Sequence, residues 1–500
     1  MRRILPALAA LVLAAPVAAA TIRGTVRGDA IVGTPSADAI TAGPGDDLVQ
    51  AAWGGVDRVD CGGGRDIVSA DATDRVSANC EVVSSRLSVD TSTNPAGQHE
   101  TAVEPDTFAW GSTVVAAYQL GRFNDGGASN IGTSVSTDAG RTWKRAVLPA
   151  VTVESQPPGP ESAASDPTVA YDAVHGVWLV GTLTIEHNGS HVYVAHSTDG
   201  LHWSAPVDVA SGPELDKDWF ACDNNAASPY RGRCYAEYTD DAKNMTVSQS
   251  SDDGGLTWSA PVKAYTTLVG TQPVILPNGT LVVVAGDYAD EDALTGSIAS
   301  LRSTDGGATF TRSTIATLHA AANGAMRSAS LPSVDVDSAG TIYAAWHDCR
   351  FRPGCKVNDM VLSTSTDGVT WSTPTRVPIA PLSSTLDVFI PGLAADPARP
   401  GHLGLVYAFF TAGSCARGAC TLEMGFTTSP DGGKTWTAPQ RLDAQPMQMS
   451  WLAKTTSGRM VGDYFSTSFA GGRVVPVFTL ATSPLSGRFR EAIFAASLPG

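Results

Sequence analysis

The sequence predicts an all-β protein dominated by a β-propeller, with seven blades favoured and six as the alternative. Three observations lead to this prediction. The 500 residues are 43% hydrophobic but only 16% charged, and 50 glycines and 31 prolines supply turns. A segment of serine or threonine, aspartate, glycine and a closing aromatic residue recurs six times. Short β-branched and aromatic runs separate these segments, which is typical of propellers whose blades are four-stranded sheets.

Residues 1–20 have the features of a secretory signal peptide. Arg2 and Arg3 form a basic start, an apolar stretch follows, and small residues precede Thr21. We therefore expect a secreted protein with no membrane span once the signal is removed.

The charge of the chain excludes some classes of partner. The sequence has 49 acidic and 33 basic side chains, a formal net charge of −16. Nucleic-acid binding and adhesion to anionic membranes both rely on basic surface, so we expect neither. The oligomeric state is left open.

The eight cysteines fall into neighbouring pairs, each of which would close a short loop in an exported chain. No CxxC motif or histidine partner indicates zinc. Although eight cysteines permit many pairings, the spacing favours four local disulfides. The expected pairs are Cys61–Cys80, Cys222–Cys234, Cys349–Cys355 and Cys415–Cys420.

Residues 21–81 form a module rich in glycine and aspartate. Its units, such as GTPSADAIT (33–41) and AGPGDDLVQ (42–50), place an aspartate before an apolar residue two positions on. Glycines allow the tight turns between them, and carboxylates are ligands suited to Ca²⁺. The pattern resembles the nonapeptide repeat of RTX-type calcium-binding proteins, which implies a small β-roll. The candidate ligands of a structural calcium ion are Asp38, Asp47 and Asp66. No organic cofactor is expected, and a β-roll held by the Cys61–Cys80 disulfide without metal is the alternative.

Residues 82–500 contain the six recurring segments, from STDAGRTW (136–143) to SPDGGKTW (429–436). They resemble the Asp boxes of sialidases and other BNR-repeat proteins. The resemblance implies that each aspartate caps the hairpin between the third and fourth strands of a blade. The last unit lacks an Asp box, and we expect segment 86–90 to supply its missing outer strand.

The expected topology brings two sets of loops to one face: those before each first strand, and those between second and third strands. The residues at these positions, read along the chain, include Glu104, Asp106, Arg122, Asp125, Asp166, Asp216, Lys217, Asp218, Glu237, Asp348, Arg350, Asp387 and Asp463. Carboxylates crowded in this way could do acid–base chemistry, because like charges and burial separate their pKa values. A solvated rim or a bound cation are the alternatives.

Two segments are similar to parts of sialidases, which are glycosidases with a tyrosine nucleophile. Segment 116–143 looks like an early sialidase blade, which implies that Arg122 binds the substrate carboxylate and that Asp125 is the general acid. Segment 462–479 looks like the late part in which the tyrosine opens a first strand, which makes Tyr464 the nucleophile.

The remaining sialidase roles are assigned by position. They are Glu237 as the partner of the tyrosine, and Arg350, Arg459 and Asp463 as substrate-binding residues. Sialidases open with a segment whose arginine heads the arginine triad, and the corresponding segment here, VEPDTFAW (103–110), has no arginine.

Three functions fit these observations. The first is a secreted, sialidase-like glycoside hydrolase acting on extracellular glycans, with exo-sialidase as the named case. The second is a noncatalytic propeller that binds an extracellular glycan or glycoprotein. The third is a lyase or other enzyme that works through a metal ion held by the acidic residues.

Overall fold

The structure is a computed structural model that describes residues 19–185, 189–289, 293–411, 415 and 420–500. The predicted signal peptide, residues 1–20, lies almost entirely outside the described residues. The described chain is built of β-strands joined by turns and three short 3₁₀ helices, at Asp241–Lys243, Pro353–Cys355 and Met449–Trp451. The prediction of an all-β protein is confirmed.

The chain begins with a β-solenoid of about four turns. Its strands are β1 (Thr21–Arg23), β2 (Ala30–Val32), β3 (Ala39–Pro44), β4 (Leu48–Gln50), β5 (Arg58–Gly63), β6 (Ile67–Asp71), β7 (Arg75–Val76) and β8 (Val82–Arg86). The odd strands form one parallel sheet and the even strands another. Apolar residues of both sheets, Ile40, Val49, Val59 and Val68 among them, are buried between the sheets. The Cys61–Cys80 disulfide closes the last turns.

The aspartates of the module form two hydrogen-bonded ladders along the solenoid. In one ladder, the backbone N–H of Asp38 donates to Asp57 Oδ1 at 2.7 Å. In the other, the N–H of Asp47 donates to Asp66 Oδ1 at 2.8 Å, and the N–H of Asp29 donates to Asp47 Oδ1 at 2.8 Å. Each carboxylate therefore satisfies a backbone donor of the turn before it, which links successive turns.

This arrangement explains the recurring aspartates without a metal ion. Asp38 lies in one ladder, whereas Asp47 and Asp66 lie in the other. Within the described part of the chain, no group of three or more histidine, cysteine, aspartate or glutamate side chains could hold a metal ion. Calcium binding by Asp38, Asp47 and Asp66 stays a prediction, and the RTX-type assignment is not confirmed.

After the solenoid, the chain folds into antiparallel sheets in which consecutive strands pair. The strands of the first three units are β9 (Ala102–Trp110), β10 (Thr113–Arg122), β11 (Ala128–Ser136), β12 (Lys144–Val147), β13 (Ala163–Asp172), β14 (Val177–Ile185), β15 (Ser190–Ser197), β16 (Val207–Gly212), β17 (Leu215–Cys222), β18 (Cys234–Asp240), β19 (Met245–Ser251) and β20 (Val262–Tyr265). The strands of the next three are β21 (Val269–Ile275), β22 (Leu281–Asp287), β23 (Thr295–Ser303), β24 (Thr311–His319), β25 (Ser333–Val336), β26 (Ile342–Asp348), β27 (Asp359–Ser365), β28 (Thr375–Arg376), β29 (Asp387–Ala395), β30 (Leu403–Phe410), β31 (Thr421–Ser429), β32 (Gln440–Arg441) and β33 (Met447–Gln448).

The C-terminal region completes the sheets. A hairpin of β34 (Ala453–Thr455) and β35 (Gly458–Met460) precedes β36 (Ser466–Ala470), β37 (Arg473–Ala481), β38 (Glu491–Ala496) and β39 (Leu498–Pro499). Strand β38 pairs with β8, with Phe494 opposite Arg86. The two ends of this region therefore meet, as the sequence predicts, although the pairing strand ends at Arg86 and only begins the predicted segment 86–90.

The predicted fold class, a closed Asp-box β-propeller of seven or six blades, is wrong. The structure shows a β-solenoid of about four turns rather than a closed β-propeller. Strand pairing is the finding that corrects the prediction, because β9–β16 form one eight-stranded sheet and β36–β38 continue the solenoid sheet β2-β4-β6-β8. The recurring segments specify single hairpins, and a hairpin motif does not determine how one sheet joins the next.

The six recurring segments do form the predicted hairpins. In the first, between β11 and β12, Asp138 Oδ1 accepts the backbone N–H of Thr142 at 2.8 Å, and Trp143 Nε1 donates to Gly140 O at 3.1 Å. The same aspartate bonds recur at Asp199, Asp253, Asp305, Asp367 and Asp431. Their structural role is confirmed.

The four predicted disulfides are present, Cys222–Cys234, Cys349–Cys355 and Cys415–Cys420 in addition to the solenoid pair. They fit an extracellular protein, because disulfides persist in oxidising compartments. No helix among the described residues is long and apolar enough to cross a membrane.

The ladder leads to a first prediction. Replacing Asp66 with alanine leaves the buried N–H of Asp47 without an acceptor, which costs about 1–3 kcal/mol. We expect the local opening free energy at the Asp47 amide, measured by hydrogen exchange in EDTA, to fall by this amount.

Asp46→Ala is the matched control, since Asp46 is exposed and accepts only the exposed N–H of Arg65. Equal exchange at the Asp47 amide in the two variants would show that the ladder does not hold the turns together.

Candidate functional site

The first strands of successive antiparallel units lie side by side, and this brings distant residues together. Strand β9 lies beside β13, β13 beside β17, β17 beside β21 and β25 beside β29. Strand β36 lies beside β9, where Thr107 and Ser468 are joined by a 2.8 Å hydrogen bond. Residues at the same end of these strands therefore converge, as the sequence analysis expects of its loop positions.

A backbone irregularity recurs at that end. Glu104 in β9, Asp166 in β13 and Lys217 in β17 have φ values of 54°, 44° and 53°. The register of each strand shifts at this point. Bulges re-aim side chains, and non-glycine residues in the left-handed region are strained unless their surroundings hold them. Ile390 in β29 has the same conformation and register shift, so the bulge recurs among the first strands, and in β9, β13 and β17 it places a charged residue.

We call Glu104, Asp166, Lys217, Arg327 and Asp463 the central cluster. Asp463 lies at its middle: Lys217 Nζ is 2.9 Å from Asp463 Oδ2, and Arg327 donates to both carboxylate oxygens, at 2.9 and 2.6 Å. Lys217 Nζ also lies 3.5 Å from Asp166 Oδ1. Only Arg327, at 19% side-chain exposure, has substantial contact with solvent.

The two cations fix the charge of Asp463. Burial alone would raise the pKa of its carboxyl, but Arg327 and Lys217 outweigh burial and hold the pKa well below its usual range. Asp463 is therefore ionised, and its charge is shared between an ammonium and a guanidinium.

Glu104 is in the opposite state. Burial, reinforced by the negative charges of Asp166 and Asp463, raises the pKa of Glu104 to about 8. Its carboxyl accepts a hydrogen bond from the side-chain amide of Gln119. At neutral pH Glu104 thus carries a proton a short distance from an ionised carboxylate.

Two further carboxyls border the cluster. Burial raises the pKa of Asp106 to about 7, although Asp106 accepts the backbone N–H of Val169 at 2.8 Å. Burial, and then the charge of Asp166, raises the pKa of Asp218 well above its usual value. Neither oxygen of Asp218 has a hydrogen-bond partner among the described residues. Protonation of both groups reduces the negative charge that the site must hold.

Tyr464 lies next to Asp463 and packs its ring edge-on against Trp219, with the ring centres 5.1 Å apart. Its hydroxyl donates to the backbone oxygen of Pro167 at 3.3 Å. Burial, then the charges of Glu104 and other nearby acids, raises the pKa of Tyr464 well above its usual value. The structure thus places the residue predicted as nucleophile in the site, as a neutral, hydrogen-bonded phenol.

Arg122 is the other predicted residue that joins the site. Its Nη1 donates to the backbone oxygen of Gly127 at 2.8 Å and lies 3.4 Å from Gln119 Oε1, so Arg122 reaches Glu104 through Gln119. Asp125, predicted as the general acid, is exposed in the loop between β10 and β11.

The other predicted residues are held elsewhere. Arg350 donates to both oxygens of Asp348, at 3.0 and 2.7 Å. Arg459 Nη1 donates to Leu452 O at 2.7 Å, and its backbone oxygen accepts the N–H of Arg327. The three arginines predicted to grip one carboxylate thus have separate hydrogen-bond partners, although Arg122 and Arg459 both act on the buried carboxyl of Glu491.

Glu237 is buried opposite Trp219 in the β17–β18 pair and accepts from Ser248 Oγ at 2.7 Å. Burial raises its pKa to about 8. No hydrogen bond joins Glu237 to Tyr464 in the described structure, so the pair predicted from the sequence is not formed there.

Arg327 is the residue that sequence reasoning missed. It lies in the segment ahead of β25, five positions before Pro332, where the sequence has no strand periodicity and no recurring motif. An isolated arginine among small residues in such a segment, NGAMRSAS (323–330), is the one signal that could have suggested it.

A comparison with protein families agrees with the interpretation of the recurring segments as BNR-type repeats. Residues 190–407, less than half of the chain, match the family described as a BNR repeat-like domain. No curated protein matches the sequence.

Three solved structures are similar at low TM-scores. One is a protein of unknown function from Dyadobacter fermentans DSM 18053, at 16% identity, TM-score 0.44, and coverage of 69% of this chain and 97% of that chain. Another is the Hadza microbial sialidase Hz136, at 17% identity, TM-score 0.43, and coverage of 65% and 66%. The third is a PL25 ulvan lyase, at 12% identity, TM-score 0.45, and coverage of 81% and 96%.

A second prediction concerns pH. The folded state keeps the proton of Glu237 up to about pH 8, whereas an ordinary glutamate releases it near 4.5. The contribution of this proton to the free energy of unfolding is complete below about pH 4.5 and is lost as the pH rises to about 8. Over that window we expect the wild type to lose about 1.4 kcal/mol per pH unit relative to Glu237→Gln, whose amide does not titrate.

Urea unfolding at pH 5, 6, 7 and 8 measures the difference. Glu214→Gln, at an exposed glutamate, should leave the pH dependence of the wild type unchanged. A stability difference between wild type and Glu237→Gln that is constant from pH 5 to 8 would contradict the prediction.

Proposed function

We propose that the protein is an enzyme that hydrolyses glycosidic bonds of extracellular glycans at the central cluster. One observation carries the proposal: at neutral pH Glu104 is protonated within a cluster that also holds the acidic side chains of Asp166 and Asp463. Glycoside hydrolysis needs such a division, with one carboxyl that donates a proton to the leaving oxygen and another that carries negative charge.

The contacts divide the roles within the cluster. Glu104 is the general acid, because its raised pKa keeps the proton available at pH 7. Asp463 is a positioning residue, since two cations occupy its oxygens. Asp166 is the second carboxylate, because it acts on Glu104 and its Oδ1 lies 3.5 Å from Lys217 Nζ.

Trp219 is the surface offered to a sugar. Its ring is half-buried and lies edge-on against Tyr464, and Arg327 is the residue of the cluster that faces solvent. Aromatic rings pack against the apolar C–H face of a pyranose while its hydroxyls bond to charged neighbours. A sugar on Trp219 would lie at the solvent side of the cluster, with Glu104 behind it.

The geometry favours a glycan without sialic acid. Sialidases hold the substrate carboxylate with several arginines, but Arg122, Arg350 and Arg459 each bond to a separate group of the protein. Exo-sialidase activity, which the resemblance implies, is therefore one outcome of the test and not the proposal.

A noncatalytic glycan-binding protein is the second candidate. The burial of Glu104, which is 2% exposed, favours it, because a proton donor must reach the glycosidic oxygen. A hydrolase requires that a bound sugar pass Trp219 and reach Glu104. A binding protein requires only contacts at the solvent-facing side of the cluster.

The test is product release from a panel of neutral and sialylated oligosaccharides by the full chain. We expect release from neutral glycans, with kcat/KM falling above pH 8 as Glu104 loses its proton. Glu104→Gln should lower kcat about 100-fold or more, the usual contribution of a general acid.

Glu423→Gln is the matched control, because Glu423 is a buried glutamate paired with Arg441, outside the cluster. It should keep the wild-type rate. Release of sialic acid alone would establish the sialidase, and binding of glycans without any release would establish the binding protein. Either result would overturn the proposal.

A further inference from the structure

A second concave site lies where the solenoid meets the end of the chain. It is a cleft of about 340 Å³, here called the junction cleft, and its lining includes Trp53, Arg86, Glu100, Leu485, Arg488 and Arg490. The solenoid supplies Trp53 and Arg86, and the hairpin before β38 supplies the last three residues. None of its lining residues belongs to the central cluster, so it is a separate site. Its volume is at the lower end of the range of ligand pockets, about 300–1,000 Å³.

The cleft is basic in an acidic protein. Arg86 Nε is 2.6 Å from Asp71 Oδ1, and Arg488 Nη1 is 3.4 Å from Glu100 Oε1. The Arg490 guanidinium has no hydrogen bond or ion pair within the described ranges, and Arg488 is 56% exposed. Three guanidinium groups thus meet two carboxylates, in a chain whose net charge is −16. Guanidinium groups form paired hydrogen bonds with carboxylates and sulfates.

Apolar surface lies beside these charges. The guanidinium carbon of Arg86 lies 5.2 Å from the centre of the Trp53 ring, and the ring of Phe494 packs against Trp53 at 5.4 Å. These contacts fix the orientation of the indole. Leu485, on the opposite wall, is 50% exposed. A ligand that fits here has both a negative group and an apolar face.

The backbone around the cleft is strained at three separate places. Trp53, Glu100 and Ser486 have φ values of 68°, 61° and 53°, and all three line the cleft. Each belongs to a different segment of the chain. Left-handed non-glycine residues cluster at binding sites, where the surrounding structure maintains the strain. This is independent of the charge and indicates a preformed ligand site.

We propose that the junction cleft binds an anionic sugar unit, one that carries a carboxylate or a sulfate. Arg490 and Arg488 pair with the anionic group, and Trp53 and Leu485 contact the apolar face of the sugar ring. The site would retain an acidic polysaccharide at the surface of the protein. It does not depend on the catalytic role proposed for the central cluster.

Isothermal titration calorimetry of the full chain tests the proposal with four probes. They are a uronate tetrasaccharide, a sulfated tetrasaccharide, an uncharged tetrasaccharide and inorganic sulfate. We expect at least one charged tetrasaccharide to bind with a salt-dependent affinity, inorganic sulfate to bind much more weakly, and any binding of the uncharged tetrasaccharide at the central cluster to be unchanged in Arg490→Gln. Arg490→Gln should weaken the binding of the charged tetrasaccharide about tenfold, because a hydrogen bond to a charged group contributes about 1.5–3 kcal/mol.

Arg231→Gln is the matched control, since Arg231 is an exposed arginine in the loop between β17 and β18. It should bind as the wild type does. Glu104→Gln should also bind normally, so failure of the proposed hydrolase would not affect this result. Thermal unfolding of each variant confirms that it is folded.

Several results would overturn the proposal. They are equal weakening of the charged and uncharged tetrasaccharides in Arg490→Gln, equal affinity of the wild type for inorganic sulfate and the charged tetrasaccharide, and wild-type affinity for the charged tetrasaccharide in Arg490→Gln. Loss of binding in Glu104→Gln with binding kept in Arg490→Gln would place the probe at the central cluster and would likewise overturn it.

Discussion

The candidate site depends on the pairing of one buried carboxylate, Asp463, with Lys217 and Arg327. A buried charge without a partner is costly, and removing one member of a buried ion pair leaves the other uncompensated. The three residues come from three distant parts of the chain, so the pairing also holds those parts together. Burial, reinforced by the negative charges of Asp166 and Asp463, raises the pKa of the nearby Glu104 and keeps it protonated.

The same chemistry recurs, on a local scale, in the rest of the molecule. Aspartates accept backbone N–H groups in the solenoid ladders and in the six hairpins. In the hairpin of Asp305, the bond from the Thr309 hydroxyl lowers the pKa of the carboxyl to about 2, so the acceptor remains charged at neutral pH. Most of the acidic residues in these motifs therefore stabilise backbone turns. The few acidic residues that converge at the first strands are the ones that indicate function.

Sequence reasoning succeeded where structure is local. The all-β composition, the hairpins and the disulfides follow from residue types and short spacings, and the structure contains them. The convergence of Glu104, Asp166, Lys217 and Asp463 was also expected, because all four lie near the start of the first strand of a repeating unit. The fold class was not, because a hairpin motif does not specify that the first two units share a sheet or that the last continues the solenoid.

The residue roles were predicted less well, for a related reason. The resemblance to sialidases makes Arg350 and Arg459 substrate-binding residues by their positions in the sequence. In the structure Arg350 is held by Asp348 and Arg459 by Leu452, and the resemblance describes neither contact. Arg327 is the opposite case, a residue in the site that no resemblance indicated. Its role comes from its ion pair with Asp463, which is 136 positions away in the sequence. Long-range ion pairs of this kind leave no spacing in the sequence.

The most direct measurement is a crystal structure of Glu104→Gln with an uncleaved neutral oligosaccharide. We expect a sugar ring packed against Trp219, with a glycosidic oxygen within hydrogen-bond distance of the side chain at position 104. We also expect Lys217 and Arg327 still paired with Asp463. An oligosaccharide bound elsewhere on the protein, with the central cluster closed to it, would contradict the proposal that the central cluster is the catalytic site.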